Sequence, residues 1–273
     1  MTGTVMTPRV LRWLRSGRPA RILHLFGGVC NLVNDRNEVI SLVSARIGPG
    51  PFAIVAEGDF HAGTDANQVV SIDEKGQTLA IGSLVVDIGQ AVIWQPEPDW
   101  ARLHDADVGA WSSRVELPAE LAASLKQTMT GIVANDSSTF LAGVRGLAGR
   151  GGGLTPAGDD VLMGVLYGLW AWYPRREWME MILETAIPRT TTLSANFLRA
   201  AADGEAAWQW HELANNASHA VAKIVSVGHT SGADALTGFV YTGSVLSAAL
   251  KDNELDVRQR LKGMSKNMNE GYA

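Results

Sequence analysis

The chain has 273 residues, 46% of them hydrophobic and 19% charged, with a formal net charge of −5. This is enough apolar material for one large domain or two modest ones, and too much for a disordered chain. The acidic balance argues against nucleic-acid and membrane-surface partners. The single cysteine, Cys30, excludes an intramolecular disulfide and a multi-cysteine metal cluster.

Residues 1–30 lack the continuous apolar core of a secretory signal, being broken by Arg12, Arg15, Arg18 and Arg21. The longest apolar run, Val161–Tyr173, is shorter than the roughly 20 residues a membrane helix needs. A cytoplasmic protein is therefore expected. Thr7–Ser16 reads as a short helix, with Val10, Leu11 and Leu14 at helical spacing. Seven short strand-like runs follow: Ile22–Phe26, Val29–Val33, Val39–Val43, Phe52–Val55, Val69–Ile72, Leu84–Ile88 and Ala91–Trp94. Turn chemistry separates them, at Asn34–Asn37, Gly48-Pro49-Gly50-Pro51, Gly63-Thr64-Asp65 and Glu74-Lys75-Gly76. Cys30 falls inside one run and reads as a small buried hydrophobe. Gln95-Pro96-Glu97-Pro98 is an extended connector.

Beyond Val115 the pattern is helical: Leu117–Ala134, Ser137–Ala148 with Ser137-Ser138 as its cap, a helix opening at Pro156, Arg176–Ile187, Leu193–Ala202, Ala206–Val225 and Ala233–Leu250. The tail from Lys251 is polar and is expected to fray. The fold class is α+β: a small antiparallel β-barrel or sandwich over residues 1–112, then an α-helical domain over 113–273.

The helical half contains an internal echo. Gly158-Asp159-Asp160-Val161-Leu162-Met163-Gly164 and Gly232-Ala233-Asp234-Ala235-Leu236-Thr237-Gly238 both read Gly-x-Asp-x-Leu-x-Gly, and both continue to a tyrosine, Tyr167 or Tyr241. Two helices presenting similar N-termini to one cavity would explain this; shared packing needs are the plainer alternative. Three polar corners accompany the echo: Gly149–Asp160, Arg189–Ser194 and Gly228–Asp234. In the first, Pro156 suits the first helical position and Thr155 the N-cap. The glycines before them allow positive φ and close backbone approach, and a glycine loop at a helix start is a general anion-binding device.

Asp159 and Asp160 are adjacent, so they face different directions and need different partners. A bare phosphate would be repelled by them unless a divalent cation such as Mg²⁺ intervened, with Asp159 and Asp160 as its ligands. A small anion carrying an amide fits without metal: its anionic end on Arg150, Gly151, Gly152, Gly153 and Thr155, its N–H groups on Asp159, Asp160 and Asp234. Thr190, Thr191, Ser194, Thr230, Ser231 and Gly232 would complete the pocket. His229 is either a general acid or base or an orienting group for its loop. No phosphate-loop or zinc-ligand spacing is present.

At these residues the chain resembles the AllH-like family. The resemblance rests on Gly151-Gly152-Gly153-Leu154-Thr155-Pro156-x-x-Asp159-Asp160, on Thr190-Thr191-x-x-Ser194 through Gly204, and on Gly228-His229-Thr230-Ser231-Gly232-Ala233-Asp234. It implies a barrel-like N-terminal domain, a helical C-terminal domain, and a subunit of a carbamoyltransferase with FdrA-like and other partner subunits. The implied reaction interconverts oxalurate plus phosphate with oxamate plus carbamoyl phosphate, as in allantoin breakdown. The alternatives are a non-catalytic scaffold or regulatory subunit and a metal-dependent small-molecule phosphotransferase.

Overall fold

Nine strands among the described residues make one sheet that closes on itself. The structure is a computed structural model and describes residues 1–57, 60, 68–73, 77–111 and 117–252. The strands are β1 (Thr2–Met6), β2 (Ala20–Phe26), β3 (Val29–Asn34), β4 (Val39–Val43), β5 (Ala53–Glu57), β6 (Val69–Ile72), β7 (Thr78–Ile81), β8 (Leu84–Asp87) and β9 (Val92–Ile93). Their order is β5-β4-β3-β2-β6-β7-β8-β1-β9, and β1 also pairs with β5, so eight strands close a barrel. Closure removes the free sheet edges that would otherwise template aggregation.

Most pairings are antiparallel, as expected, but β4–β5 is parallel, and β1 runs parallel to β8 through Thr2 and to β9 through Val5 and Met6. A parallel pair cannot be joined by a hairpin. Residues 44–52, carrying Gly48-Pro49-Gly50-Pro51, therefore form a crossover. β1 and β7 lie outside the strands expected from sequence. Gly3 explains β1: a Cβ there would lie 2.7 Å from Ile88 Cγ2, so the closing strand needs the residue least favoured by strand propensity.

The barrel core is built from Leu32, Ile40, Leu42, Ile54, Leu79 and Ile81, all fully buried. Helix α1 (Pro8–Arg15) adds Val10, Trp13 and Leu14 to the same core. It starts on Thr7, whose hydroxyl accepts the Val10 N–H at 3.3 Å, with Pro8 in the first turn. Cys30 is fully buried in this core, and burial pushes its thiol up to about 11.

The second half contains α2 (Ala119–Ala134), α3 (Ser137–Leu147), α4 (Ala157–Trp172), α5 (Arg176–Ala186), α6 (Thr192–Ala202), α7 (Trp208–Ala214), α8 (Ala220–Val225) and α9 (Ser231–Asp252). The single helix expected over Ala206–Val225 is two helices. Asn216 adopts φ 58, in the left-handed region, and α7 stops just before it. α3 is capped by Asp136 rather than by the serines, its carboxylate accepting the Ser138 and Thr139 N–H groups. Trp100, Leu103 and Val108, in two short 3-10 turns, pack into the helical core. The expected turns at 63–65 and 74–76 lie outside the described residues. So do residues 112–116, where the sequence places the division between the halves, and the tail from 253.

The two halves are sewn together by specific contacts. Val33, Val39 and Phe52 on the barrel pack with Leu193 and Ala200 of α6. Asn196 accepts the Val39 N–H at 3.1 Å and donates to the Asn37 carbonyl at 2.8 Å, satisfying strand-edge groups from the helical side. Trp208 Nε1 donates to Ile47 O at 2.8 Å, holding the crossover against α7. Arg9 of α1 reaches the nearly buried Glu205 at 2.6 Å and Asp203 at 2.8 Å.

Candidate functional site: a cavity at two paired helix starts

The site is organised by the crossing of α4 and α9. A Cβ on Gly164 would collide with the Ala235 carbonyl, one on Gly238 with the Val161 carbonyl, and one on Gly168 would lie 2.6 Å from Thr242 Cγ2. These contacts advance together along both helices, so α4 and α9 run in the same direction with backbones touching. They are also reciprocal, because Val161 and Ala235 occupy equivalent places in the echo. The reciprocity continues into the loops. A Cβ on Gly158 would meet Leu147 O, and one on Gly232 would meet Ile224 O; Gly158 N donates to Arg150 O, and Gly232 N to Val227 O. The echo is thus a local pseudo-twofold that places two helix starts side by side, each with a buried aspartate in its first turn.

A cavity of about 240 Å³ lies at this junction. Asp160, Thr155 and Ser231 lie at its polar end, Gln209 and Tyr167 also line it, and Met163, Phe197, Trp210 and Ile224 supply apolar surface. Thr155 and Ser231 hydroxyls are 2.9 Å apart. Asp160 is 3% exposed, and its Oδ2 has no hydrogen-bond partner; Gln209 Oε1, in a side chain 8% exposed, also has none. Burial pushes the Asp160 carboxyl up to about 7; the Ser231 and Thr155 hydroxyls pull it down, while Asp234 and Asp159 add to the rise. Asp234 is likewise buried, with Oδ2 unpartnered, and burial raises its carboxyl against a hydrogen bond from Thr230.

Asp159 faces elsewhere. Its Oδ1 accepts the Gly149 N–H at 2.8 Å, and its Oδ2 accepts the Thr190 and Ser194 hydroxyls, the latter at 3.1 Å. It therefore ties the start of α4 to the loop after α3 and to α6. Burial raises its carboxyl, opposed by those three donors. Thr191 is the N-cap of α6, accepting the Ser194 N–H at 3.1 Å, and donates to Leu154 O at 2.5 Å. Replacing Asp159 with Ala leaves the Gly149 N–H and two hydroxyls without their acceptor. The expected result is a loss of about 3 kcal/mol in unfolding free energy, measured by urea titration; an unchanged midpoint would contradict the tying role.

The glycine loop differs from the expected anion cradle. α4 begins after Pro156, which is the N-cap residue, and Thr155 directs its hydroxyl to Ser231 rather than to a helix N–H. The N–H groups of Gly158, Asp159 and Asp160 are taken by Arg150 O and Pro156 O. Arg150, Gly151, Gly152 and Gly153 are exposed and do not line the cavity, nor do His229 and Thr230, also exposed. Gly232 does line it. Of the two acids expected as Mg²⁺ ligands, Asp159 has both oxygens engaged by protein donors, and among the described residues no group of three or more His, Cys, Asp or Glu could hold a metal ion. Gln209, Trp210 and Phe197 are not singled out by the sequence, and Tyr167 and Met163 figure there only as parts of the echo. The one local signal for Gln209 is an amide placed between two tryptophans, Trp208 and Trp210.

A closed barrel thus docks on a helical unit, with a largely apolar cavity that ends in an unpartnered carboxyl. The chain belongs to the AllH family. Residues 147–243 match oxamate carbamoyltransferase subunit AllH, and residues 3–93 match the AllH family N-terminal domain. The first match spans α4, α6 and the start of α9, the elements that build the site. The chain matches no curated protein and no solved structure. Among the described residues, no helix is long and apolar enough to cross a membrane.

Proposed function

We propose that this chain is the subunit of a carbamoyltransferase that holds the carbamoyl NH₂ of the substrate, with Asp160 as the principal acceptor and Gln209 as the second. The carrying observation is Asp160 Oδ2, a buried acceptor with no partner at the end of a cavity. Leaving such an oxygen unpaired costs about 1–3 kcal/mol, and a ligand N–H removes that cost. In the phosphorolytic direction phosphate oxygen attacks the carbamoyl carbon of the bound substrate. The C–O bond to phosphate forms, the C–N bond to the leaving group breaks, and the proton of the attacking phosphate passes by way of the Asp160 carboxyl to the departing nitrogen. A carboxyl poised near 7 is suited to move such a proton in either direction. Asp159, Thr190, Thr191 and Ser194 support the site by bonding among themselves and to the loops. Asp234 shapes the Asp160 carboxyl through charge.

The exposed Arg150–Gly153 loop and His229–Thr230 offer groups to a partner subunit, of FdrA-like or other type, at the rim of the site. A cytoplasmic role in purine-derived amide catabolism accords with this reading, as does a division of the chain into barrel and helical units. The non-catalytic scaffold is the second reading, and it draws on the complete internal engagement of Asp159 and Thr191. Calorimetric titration of the full chain with urea and with carbamoyl phosphate separates the two. Binding that is lost in Asp160→Asn supports the carbamoyl site; no heat with either compound supports the scaffold.

A further inference from the structure

Resting on the carbamoyl reading of Asp160, the geometry points to a substrate with an apolar limb beyond its carbamoyl head, in place of a two-carbon carboxylate such as oxamate. A second cavity of about 220 Å³ adjoins the first and shares Pro51, Phe197, Ala207, Gln209 and Val227 with it. It runs between α6 and the barrel wall, under the crossover at residues 47–53. Val43, Ile47, Phe52 and Leu193 make its surface largely apolar. Together the two reach the size of sites for ligands much larger than oxamate, about 300–1,000 Å³.

Charge points the same way. Among the described residues lining the two cavities none is Lys, Arg or His, and the only charged one is the acid Asp160. A carboxylate placed here would meet no cation and would stand near a carboxyl, an arrangement with a large desolvation cost. Among the described residues lining the two cavities, the unpartnered buried side-chain atoms are Asp160 Oδ2 and Gln209 Oε1; the amide oxygen accepts N–H donors, and the Asp160 carboxyl does so when ionised. Gln209 lines both cavities, so it marks the junction where the amide head would give way to the apolar limb. The ligand class that meets all three conditions is a neutral N-alkyl carbamoyl compound, a monosubstituted urea in its simplest form.

The test is calorimetric titration of the full 273-residue chain with urea, methylurea, n-propylurea, n-butylurea and oxamate. The expected result is a Kd that tightens about fourfold per added methylene up to butyl, the increment for burying a CH₂, with oxamate weaker than every alkylurea. Ile47→Trp fills the second cavity from a position that is 39% exposed and should tolerate the ring. It should flatten the chain-length series while urea still binds. Ala53→Leu, from the barrel side, checks the same limb if Ile47→Trp fails to fold. A flat series in the wild-type chain, or oxamate binding more tightly than n-butylurea, would overturn the inference. Urea binding that depends on Asp160 without any chain-length gain would overturn the apolar limb alone and leave the carbamoyl head standing. No binding by any urea, with Asp160→Asn silent, would sink both.

Discussion

Asp160→Asn should reduce carbamoyl transfer by the assembled enzyme at least about 100-fold, the usual range for removing a general acid or base, while making the chain more stable at pH 8. The two effects share one cause. In the folded chain the Asp160 carboxyl sits at about 7, against an ordinary value of 3.8. A raised carboxyl means that the folded state resists ionisation. Its contribution to stability is complete below about pH 3.8 and is lost as the pH rises to 7, where the folded chain is forced to ionise as well. Asparagine cannot ionise, so the variant lacks this loss. A displacement of about three pKa units corresponds to roughly 4 kcal/mol at most, and water entering the cavity reduces it, so a gain of about 2–4 kcal/mol at pH 8 is expected. At pH 4 the two proteins should differ little. Thermal unfolding at both pH values reads the stability, and turnover of the complex reads the chemistry. Full turnover combined with lower stability at pH 8 would remove Asp160 from the centre of the site.

Gly164→Ala should be among the most damaging single substitutions in the chain, by about 3–5 kcal/mol. The added methyl has nowhere to go. It points at the Ala235 carbonyl across the α4–α9 contact, and a backbone oxygen cannot swing aside as a side chain can. The helices must separate, and the opened contact also loses the reciprocal fit of Gly238 on Val161. Ordinarily Gly to Ala within a helix gains about 1 kcal/mol from propensity, so a large loss isolates the packing effect. Gly152→Ala is the control, since nothing lies within 4 Å of the point where its Cβ would stand, and it should stay within about 0.5 kcal/mol. If both variants unfold at the same denaturant concentration, the crossing is looser than the glycine contacts require.

Legibility differs by element for physical reasons. The long helices carry strong apolar periodicity; α2, α5 and α6 lie within a residue or two of their expected limits, and α4 begins one residue after its expected start. The barrel shows itself through closely spaced short strands, but two features escape. β1 contains Gly3, required by contact with Ile88 and Ile54 from elsewhere in the sheet; no local pattern announces that. The break between α7 and α8 depends on one asparagine turning left-handed, while the flanking Leu213, Ala214 and Ala220 keep a helix-like apolar spacing. Within the site, adjacency implies that Asp159 and Asp160 face different directions: Asp159 turns to Gly149, Thr190 and Ser194, and Asp160 lines the cavity with one oxygen unpartnered. Which of them meets the cavity cannot be read locally, because Asp159's partners Thr190 and Ser194 come from another part of the chain, 31 and 35 residues away. The anion cradle fails for a related reason: the carbonyls of Arg150 and Pro156 fold back onto the N–H groups that a glycine loop would otherwise present.

The way β1 seals the barrel sets an order on the chain's birth. Thr2 pairs with Glu57 and with Asp87, and Val5 pairs with Val92. As the first strand of the barrel, β1 must therefore wait until β5, β8 and β9 exist before it can pair. Such long-range pairing makes ring closure a late event in folding. Until then the apolar faces of β3, β4 and β5 belong to an open sheet with two unpaired edges. In the nascent chain, the segment from β1 to β9 is the period of greatest exposure to wrong partners. The helical half emerges only afterwards, against a barrel that can already be closed.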